Sequence, residues 1–147
     1  MGVDNKLMGT VVTGVIGEDV HVVGIKIIER ALNDAGFKVN SIGAQVSQEE
    51  FIDAVVETNA DAIFISSFSG HAAILVRSFR DKCAEAGLGD ILLYIGGSLL
   101  LKEELWEEVE KKFKGLGMDR VYPPGISPTR VLEDLETDIS LRRRVSK

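Results

Sequence analysis

The sequence predicts an α/β protein built on an open, doubly wound, five-stranded parallel sheet in the order 2-1-3-4-5, with helices on both faces. Three observations predict it. Short apolar runs alternate with amphipathic stretches from one end of the chain to the other. The apolar runs are mostly apolar throughout rather than every second residue, as parallel strands covered on both faces require. Helix start and stop residues fall between the runs, with no linker, internal repeat or low-complexity stretch to divide them.

The first strand is read at residues 9–16 and the first helix at 22–35, with Gly36 as its stop. A second strand covers 38–42. Ser47-Gln48-Glu49-Glu50 is a capping box that opens a helix over 48–58. The third strand is 62–66, followed by a helix over 70–86 whose apolar face is Leu75, Phe79, Cys83 and Ala86 and whose stop is Gly87. The fourth strand is 91–95. Leu105, Val109, Phe113 and Leu116 form the inner face of a helix over 102–116, with Trp106 in the core and Gly117 as the stop. The fifth strand is 118–122. Ser127-Pro128, an N-cap followed by proline at the first helical position, opens a last helix over 128–139 with Val131, Leu135 and Ile139 facing inward.

A chain of 147 residues, 45% hydrophobic and 27% charged with 3 prolines, fits one globular domain with a real core. No apolar run reaches membrane-spanning length and no signal-peptide pattern opens the chain, so no membrane partner is expected. Cys83 is the single cysteine, which excludes an intrachain disulfide and suits a cytoplasmic location. A net charge of −6 argues against a nucleic-acid partner. Arg142, Arg143, Arg144 and Lys147 crowd the end of the chain. They could grip an acidic partner or a phosphate, but read first as a solvated basic tail over residues 139–147, favoured by the negative end of the preceding helix dipole, behind a binding domain of residues 1–138.

Ligands of doubly wound sheets bind beyond the carboxyl ends of the strands, where the strand order reverses. The loops expected there, residues 17–24, 66–71, 96–98 and 123–127, carry the unusual residues of the chain. The most informative is Asp19-Val20-His21-Val22-Val23-Gly24. An imidazole at a strand-to-helix turn can give one ring nitrogen to a metal while a carboxylate such as Asp19 holds the other N–H, fixing the tautomer. Asp19 is equally placed to cap the first helix. Gly24 leaves room for a bulky group to approach the backbone.

The common cargoes of this fold do not fit. A dinucleotide site needs Gly-x-Gly-x-x-Gly after the first strand, whereas Gly14, Gly17 and Gly24 are spaced otherwise and Glu18 and Asp19 would repel a pyrophosphate or a flavin phosphate. A phosphoacceptor receiver needs an aspartate at the end of strand three, where Ser66 stands, and a lysine ending strand five, where Tyr122-Pro123 stands. A closed zinc site needs four ligands, and only His21, His71 and Cys83 offer nitrogen or sulfur. One histidine braced by one aspartate, among glycine-rich loops, suits a metal that arrives with most of its coordination filled, such as corrin-bound cobalt.

In these residues the chain resembles the cobalamin-binding domains, and among them the small-subunit family of glutamate mutase (methylaspartate mutase). The resemblance rests on Asp19-x-His21-x-x-Gly24, then Ser66-Ser67-Phe68, then Gly96-Gly97 at matching spacings. It also includes Asn33-x-Ala35-Gly36-Phe37 and Arg120-Val121-Tyr122-Pro123-Pro124-Gly125, and covers roughly residues 9 to 138. The chain departs from the family in having Glu18-Asp19-Val20-His21 for Ser-Asp-Cys-His, Phe68 for leucine, Ser69-Gly70-His71 for Tyr-Gly-Gln, and Ser98 for asparagine.

The resemblance implies that His21 replaces the dimethylbenzimidazole of the cofactor as lower axial cobalt ligand, with Asp19 on its far nitrogen. It places the displaced nucleotide tail in a slot beside the sheet, with residues 122–125 as its far wall. The cofactor-binding residues it implies are Glu18, Asp19, Val20, His21, Val22 and Gly24 in the first loop. Beyond strand three they are Ser66, Ser67, Phe68 and Gly70, and beyond strand four Gly96, Gly97, Ser98, Leu99, Leu100, Leu101 and Lys102, with Pro124 after strand five. Lys26 either meets the corrin edge or stays solvated, and His71 either contacts the corrin edge or the partner or, as is commoner, is a solvated loop residue.

The implied activity is that of an isomerase component. The chain would present adenosylcobalamin to a large TIM-barrel subunit, two small with two large, for radical interconversion of L-glutamate and threo-3-methylaspartate. Residues that handle substrate are then expected on the partner. The alternative is a non-catalytic cobalamin carrier or sensor, or the corrinoid protein of a methyltransferase. Methyltransferase corrinoid proteins usually carry an N-terminal helical bundle, and only about eight residues precede the first strand here, which favours the mutase.

Overall fold

The computed structural model describes residues 8–17, 23–67, 71–99 and 104–145. Five strands, β1 (Thr10–Val15), β2 (Lys38–Ser41), β3 (Ala62–Ser67), β4 (Leu92–Gly97) and β5 (Arg120–Val121), form one parallel sheet in the order β2-β1-β3-β4-β5, as the sequence predicts. From β1 the chain passes to β2 on one side and then crosses to β3 on the other. The crevice between β1 and β3 at their carboxyl ends is therefore the topological switch point.

The helices are α1 (Val23–Asp34), α2 (Gln48–Thr58), α3 (Ala72–Leu75), α4 (Phe79–Glu85), α5 (Trp106–Gly115) and α6 (Pro128–Val145). Strand side chains alternate between two packed layers. Val11, Phe64, Tyr94 and Tyr122 meet Ile25, Ile28 and Leu32 of α1 and Val131, Leu135 and Ile139 of α6. Val12, Ile63, Ile65, Leu93 and Ile95 meet Phe51 of α2, Phe79 and Cys83 of α4, and Val109 and Phe113 of α5. Trp106 packs against this second layer. Burial pushes the Cys83 thiol up to about 11, which makes it an unreactive core side chain.

Local signals hold where they are covalently explicit. The Ser47 hydroxyl accepts from the Glu50 N–H at 3.1 Å and the Glu50 carboxylate accepts from the Ser47 N–H at 3.0 Å. Gly36, Gly87 and Gly117 end their helices with φ of +99°, +81° and +100°.

Three helices differ from expectation. The single helix expected over 70–86 is two, broken where Ser78 takes a left-handed φ of 65°. The Gln48 side-chain amide donates to the Leu75 and Arg77 carbonyls at 2.7 and 3.0 Å, so the break strands neither acceptor. The fourth-residue spacing of Leu75, Phe79 and Cys83 survives the break, which is why apolar periodicity alone did not show it; Ala86 is exposed. The next helix begins at Trp106, because Leu105 has extended backbone and lies exposed. The last helix runs past residue 138 to Val145. Its final turns are held by Arg142, which reaches Asp61 and Asp90, and by Arg143, which reaches Asp61.

A polar seam docks α6. Arg120 grips the Asp138 carboxylate through Nε and Nη2, both at 2.9 Å, and the Tyr94 hydroxyl donates to the same carboxylate. The Tyr122 hydroxyl donates to Asp134 at 2.7 Å. Burial, reinforced by these carboxylates, pushes both phenols well above their ordinary range. Burial alone would raise Asp138, but hydrogen bonds from Arg120 and Tyr94 outweigh it and hold the carboxyl below its usual 3.8. A folded value below the unfolded one means the stabilisation is complete above pH 3.8 and is lost as pH falls through the depressed value. Asp138→Asn is expected to cost about 2 kcal/mol at neutral pH, moderated because Arg120 is partly exposed. Chemical denaturation as a function of pH should show the gap between wild type and variant closing under acid; a gap independent of pH would contradict this account.

Candidate functional site

On the α1/α6 face, at the carboxyl edge of the sheet, the chain encloses a slot of about 450 Å³. One wall is the first turns of α1, with Gly24, Ile25, Ile27 and Ile28. The floor is Phe64 and Ser66 of β3 with Gly96 and Gly97 of β4. The far wall is Pro123, Pro124, Gly125 and Ile126 of the β5–α6 loop. The slot lies beside the switch point, where the topology predicts a ligand.

The floor follows from strand alternation. Phe64 and Ser66 share a face with Tyr94, and the next position of β4 on that face is Gly96. The Phe64 ring stacks on Tyr122 at 6.2 Å between centroids and 12° between planes, and the Tyr122 ring meets Tyr94 edge-on at 5.8 Å. These rings form a firm base under the floor. A Cβ on Gly96 would stand 3.3 Å from the Phe64 ring and 3.5 Å from Tyr122 Cβ, so any larger residue would fill the floor. Gly97 has φ of +115°, and a Cβ there would lie 2.2 Å from the Ser67 carbonyl oxygen.

Of the residues expected in the site, Gly24, Ser66, Gly96, Gly97 and Pro124 are brought together here. Ser67 is buried at the end of β3 and does not line the slot. Ser98 is exposed just beyond β4 and Leu99 is buried in the opposite layer. Glu18, Asp19, Val20, His21, Val22, Phe68, Gly70, Leu100, Leu101 and Lys102 lie outside the described residues. His71 is exposed at the start of α3, and Lys26 pairs with Glu29 at 3.3 Å. Glu29 is buried and accepts from the Thr13 hydroxyl, which ties α1 to β1 close to the slot.

The loop that carries His21 leaves the sheet at Gly17, whose N–H donates to the Val46 carbonyl at 2.9 Å. Gly17 has φ of +80°, and a Cβ there would meet Leu75 Cδ1 at 2.7 Å. The short α3, anchored by Gln48, thus sets the exit of that loop. Among the described residues no three His, Cys, Asp or Glu side chains stand together as a metal-ion site. Nor is any helix among them long and apolar enough to cross a membrane.

Sequence reasoning missed Ile25, Ile27, Ile28, Phe64 and Ile126. The available signal was the breadth of the apolar arc on α1: Ile25, Ile28 and Leu32 complete a core face, and Ile27 beside them is superfluous to it and 56% exposed.

Comparison with known proteins agrees with this geometry. The family model of the B12 binding domain matches residues 9–117. The chain is 51% identical over 130 residues to the glutamate mutase sigma subunit of Carboxydothermus hydrogenoformans, covering 88% of this chain and 95% of that one. It is 48% identical over 132 residues to the sigma subunit of Clostridium cochlearium, covering 90% and 96%. Among solved structures, the monomethylamine corrinoid protein of Methanosarcina barkeri shares the fold, with a TM-score of 0.72 at 18% identity over 89% of this chain and 59% of that one. With the fold, the switch-point slot and near-full-length identity in agreement, the chain belongs to the B12-binding domain family and, within it, to the glutamate mutase sigma subunits.

Proposed function

We propose that this chain is the cofactor-binding component of an adenosylcobalamin-dependent mutase and works with a separate catalytic subunit in interconverting L-glutamate and threo-3-methylaspartate. The observation that carries the reading is the slot itself. A mainly apolar cleft beside the switch point, floored by Gly96 and lined by Gly24, fits a bulky nucleotide tail lying against bare backbone. The described residues therefore fit the cofactor. Family membership at about half identity favours a mutase component over a carrier or methyltransferase corrinoid protein, to which the likeness is one of fold.

Bound adenosylcobalamin supplies the radical chemistry. The chain's own residues bind and orient. His21 would hold the cobalt through one ring nitrogen, and Asp19 would accept from its far N–H. Gly24, Ser66, Gly96, Gly97 and Pro124 would line the slot that takes the nucleotide tail. Phe68, Gly70, Ser98 and residues 100–102 are proposed to face the corrin and the partner, whereas Leu99 belongs to the core. The partner is proposed to be a TIM-barrel subunit, two of each chain in the assembly, and to carry the residues that handle substrate.

The test is reconstitution. Turnover of L-glutamate should appear only when this chain, adenosylcobalamin and a large mutase subunit are mixed. Turnover with the large subunit and cofactor alone would overturn the proposal. Asp19→Asn should weaken cobalamin binding by about tenfold, because the imidazole keeps its place but loses an anionic brace. Equilibrium titration followed by visible absorption measures this.

A further inference from the structure

We infer that Gln48 is a positioning residue for cobalamin binding: its side-chain amide, acting through Leu75, fixes the point at which the loop carrying His21 leaves the sheet. The inference rests on the proposed function, in that His21 must meet the cobalt. It goes further by giving a role to the α2 side of the sheet, the face opposite the slot.

Gly17 is the last described residue before that loop, four positions ahead of His21. Two contacts hold it. Its N–H donates to the Val46 carbonyl at 2.9 Å. The Leu75 side chain packs over it, so closely that a Cβ there would stand 2.7 Å from Cδ1 and 3.2 Å from Cδ2. Both contacts lead back to one short segment. Val46 makes the first, and Gln48, two residues on, holds Leu75 in place for the second.

Leu75 needs that outside hold. It ends α3, a helix of a single turn, which does not sustain itself. The chain breaks at Ser78, and the Phe79 N–H turns to the Val76 carbonyl at 3.1 Å. Gln48 Nε2 takes up the Leu75 and Arg77 carbonyls instead, at 2.7 and 3.0 Å. Gln48 is itself firmly placed. It is the first residue of α2, directly after the Ser47 cap, on a helix anchored by buried Phe51, Ile52 and Val55. A loop whose root is held in advance has less left to order when its imidazole meets the metal.

Gln48→Glu isolates the amide. Glutamate has the same shape and suits the first turn of a helix, but at neutral pH it has no donor for either carbonyl. In the cobalamin-free chain, amide hydrogen exchange at Gly17 should quicken by about tenfold. Ile16, whose N–H donates to the Ser66 carbonyl, should stay as protected as in wild type. Titration should show cobalamin bound about tenfold more weakly, the worth of about one hydrogen bond. Asp138→Asn, which costs stability on the other face of the sheet, should leave cobalamin affinity at its wild-type value. An equal fall in affinity there would reduce the effect to general instability and overturn the inference. Wild-type exchange at Gly17, or wild-type affinity, in Gln48→Glu would also overturn it and leave the cofactor assignment standing. A wild-type chain that binds no cobalamin would overturn the assignment and the inference together.

Discussion

Replacing His21 with glycine is expected to lower cobalamin affinity by more than about a hundredfold and to abolish turnover in the reconstituted mutase, because the proposed role of His21 is a direct metal bond rather than the support of one. Glycine is tolerated at a strand-to-helix turn, so the change should leave the sheet intact. The slot is formed by other elements, α1, β3, β4 and the β5–α6 loop, and should supply residual binding. The decisive measurement is electron paramagnetic resonance of the Co(II) form with protein labelled by nitrogen-15 histidine. The wild type should show splitting by one protein nitrogen, and the glycine variant none. Wild-type turnover by the variant would overturn the assignment of His21 as ligand.

How far the fold could be read beforehand depended on whether a signal was local. The apolar runs gave strand order because a parallel sheet buried on both faces leaves few topologies once the crossovers are right-handed. The Ser47–Glu50 box and the terminal glycines were legible because capping is a contact between near neighbours. The break between α3 and α4 was not, since its compensation comes from Gln48, 27 residues before Leu75. The extension of α6 was hidden for the same reason, as Arg142 finds Asp61 81 positions away. In the site, the glycines and Ser66 stood out because they interrupt apolar strands. Ile25, Ile28 and Phe64 did not, because a ligand wall of isoleucine and phenylalanine has the same pattern as core.

Gly97→Ala is expected to be the most damaging substitution for the fold among the slot residues. The backbone there has φ of +115°, which alanine adopts only with strain of about 1–3 kcal/mol. The added methyl would stand 2.2 Å from the Ser67 carbonyl oxygen and 3.0 Å from its carbon. These are backbone atoms of the adjacent strand, so relief requires the end of β4 to move off β3, where Ser67 and Gly97 are paired. Strain and lost pairing together should cost about 3 kcal/mol and lower the melting temperature by about 10 °C. Gly96→Ala provides the contrast. Its methyl would meet only side-chain carbons of Phe64 and Tyr122, at 3.3 and 3.5 Å, which can give by a few tenths of an ångström. That variant should melt within about 3 °C of wild type and yet weaken cobalamin binding, since it raises the slot floor. Melting curves and cobalamin titrations of the two variants therefore separate adjacent glycines into one that the sheet requires and one that the ligand requires. A Gly97→Ala protein with wild-type stability would show that the β3–β4 edge is looser than this geometry allows.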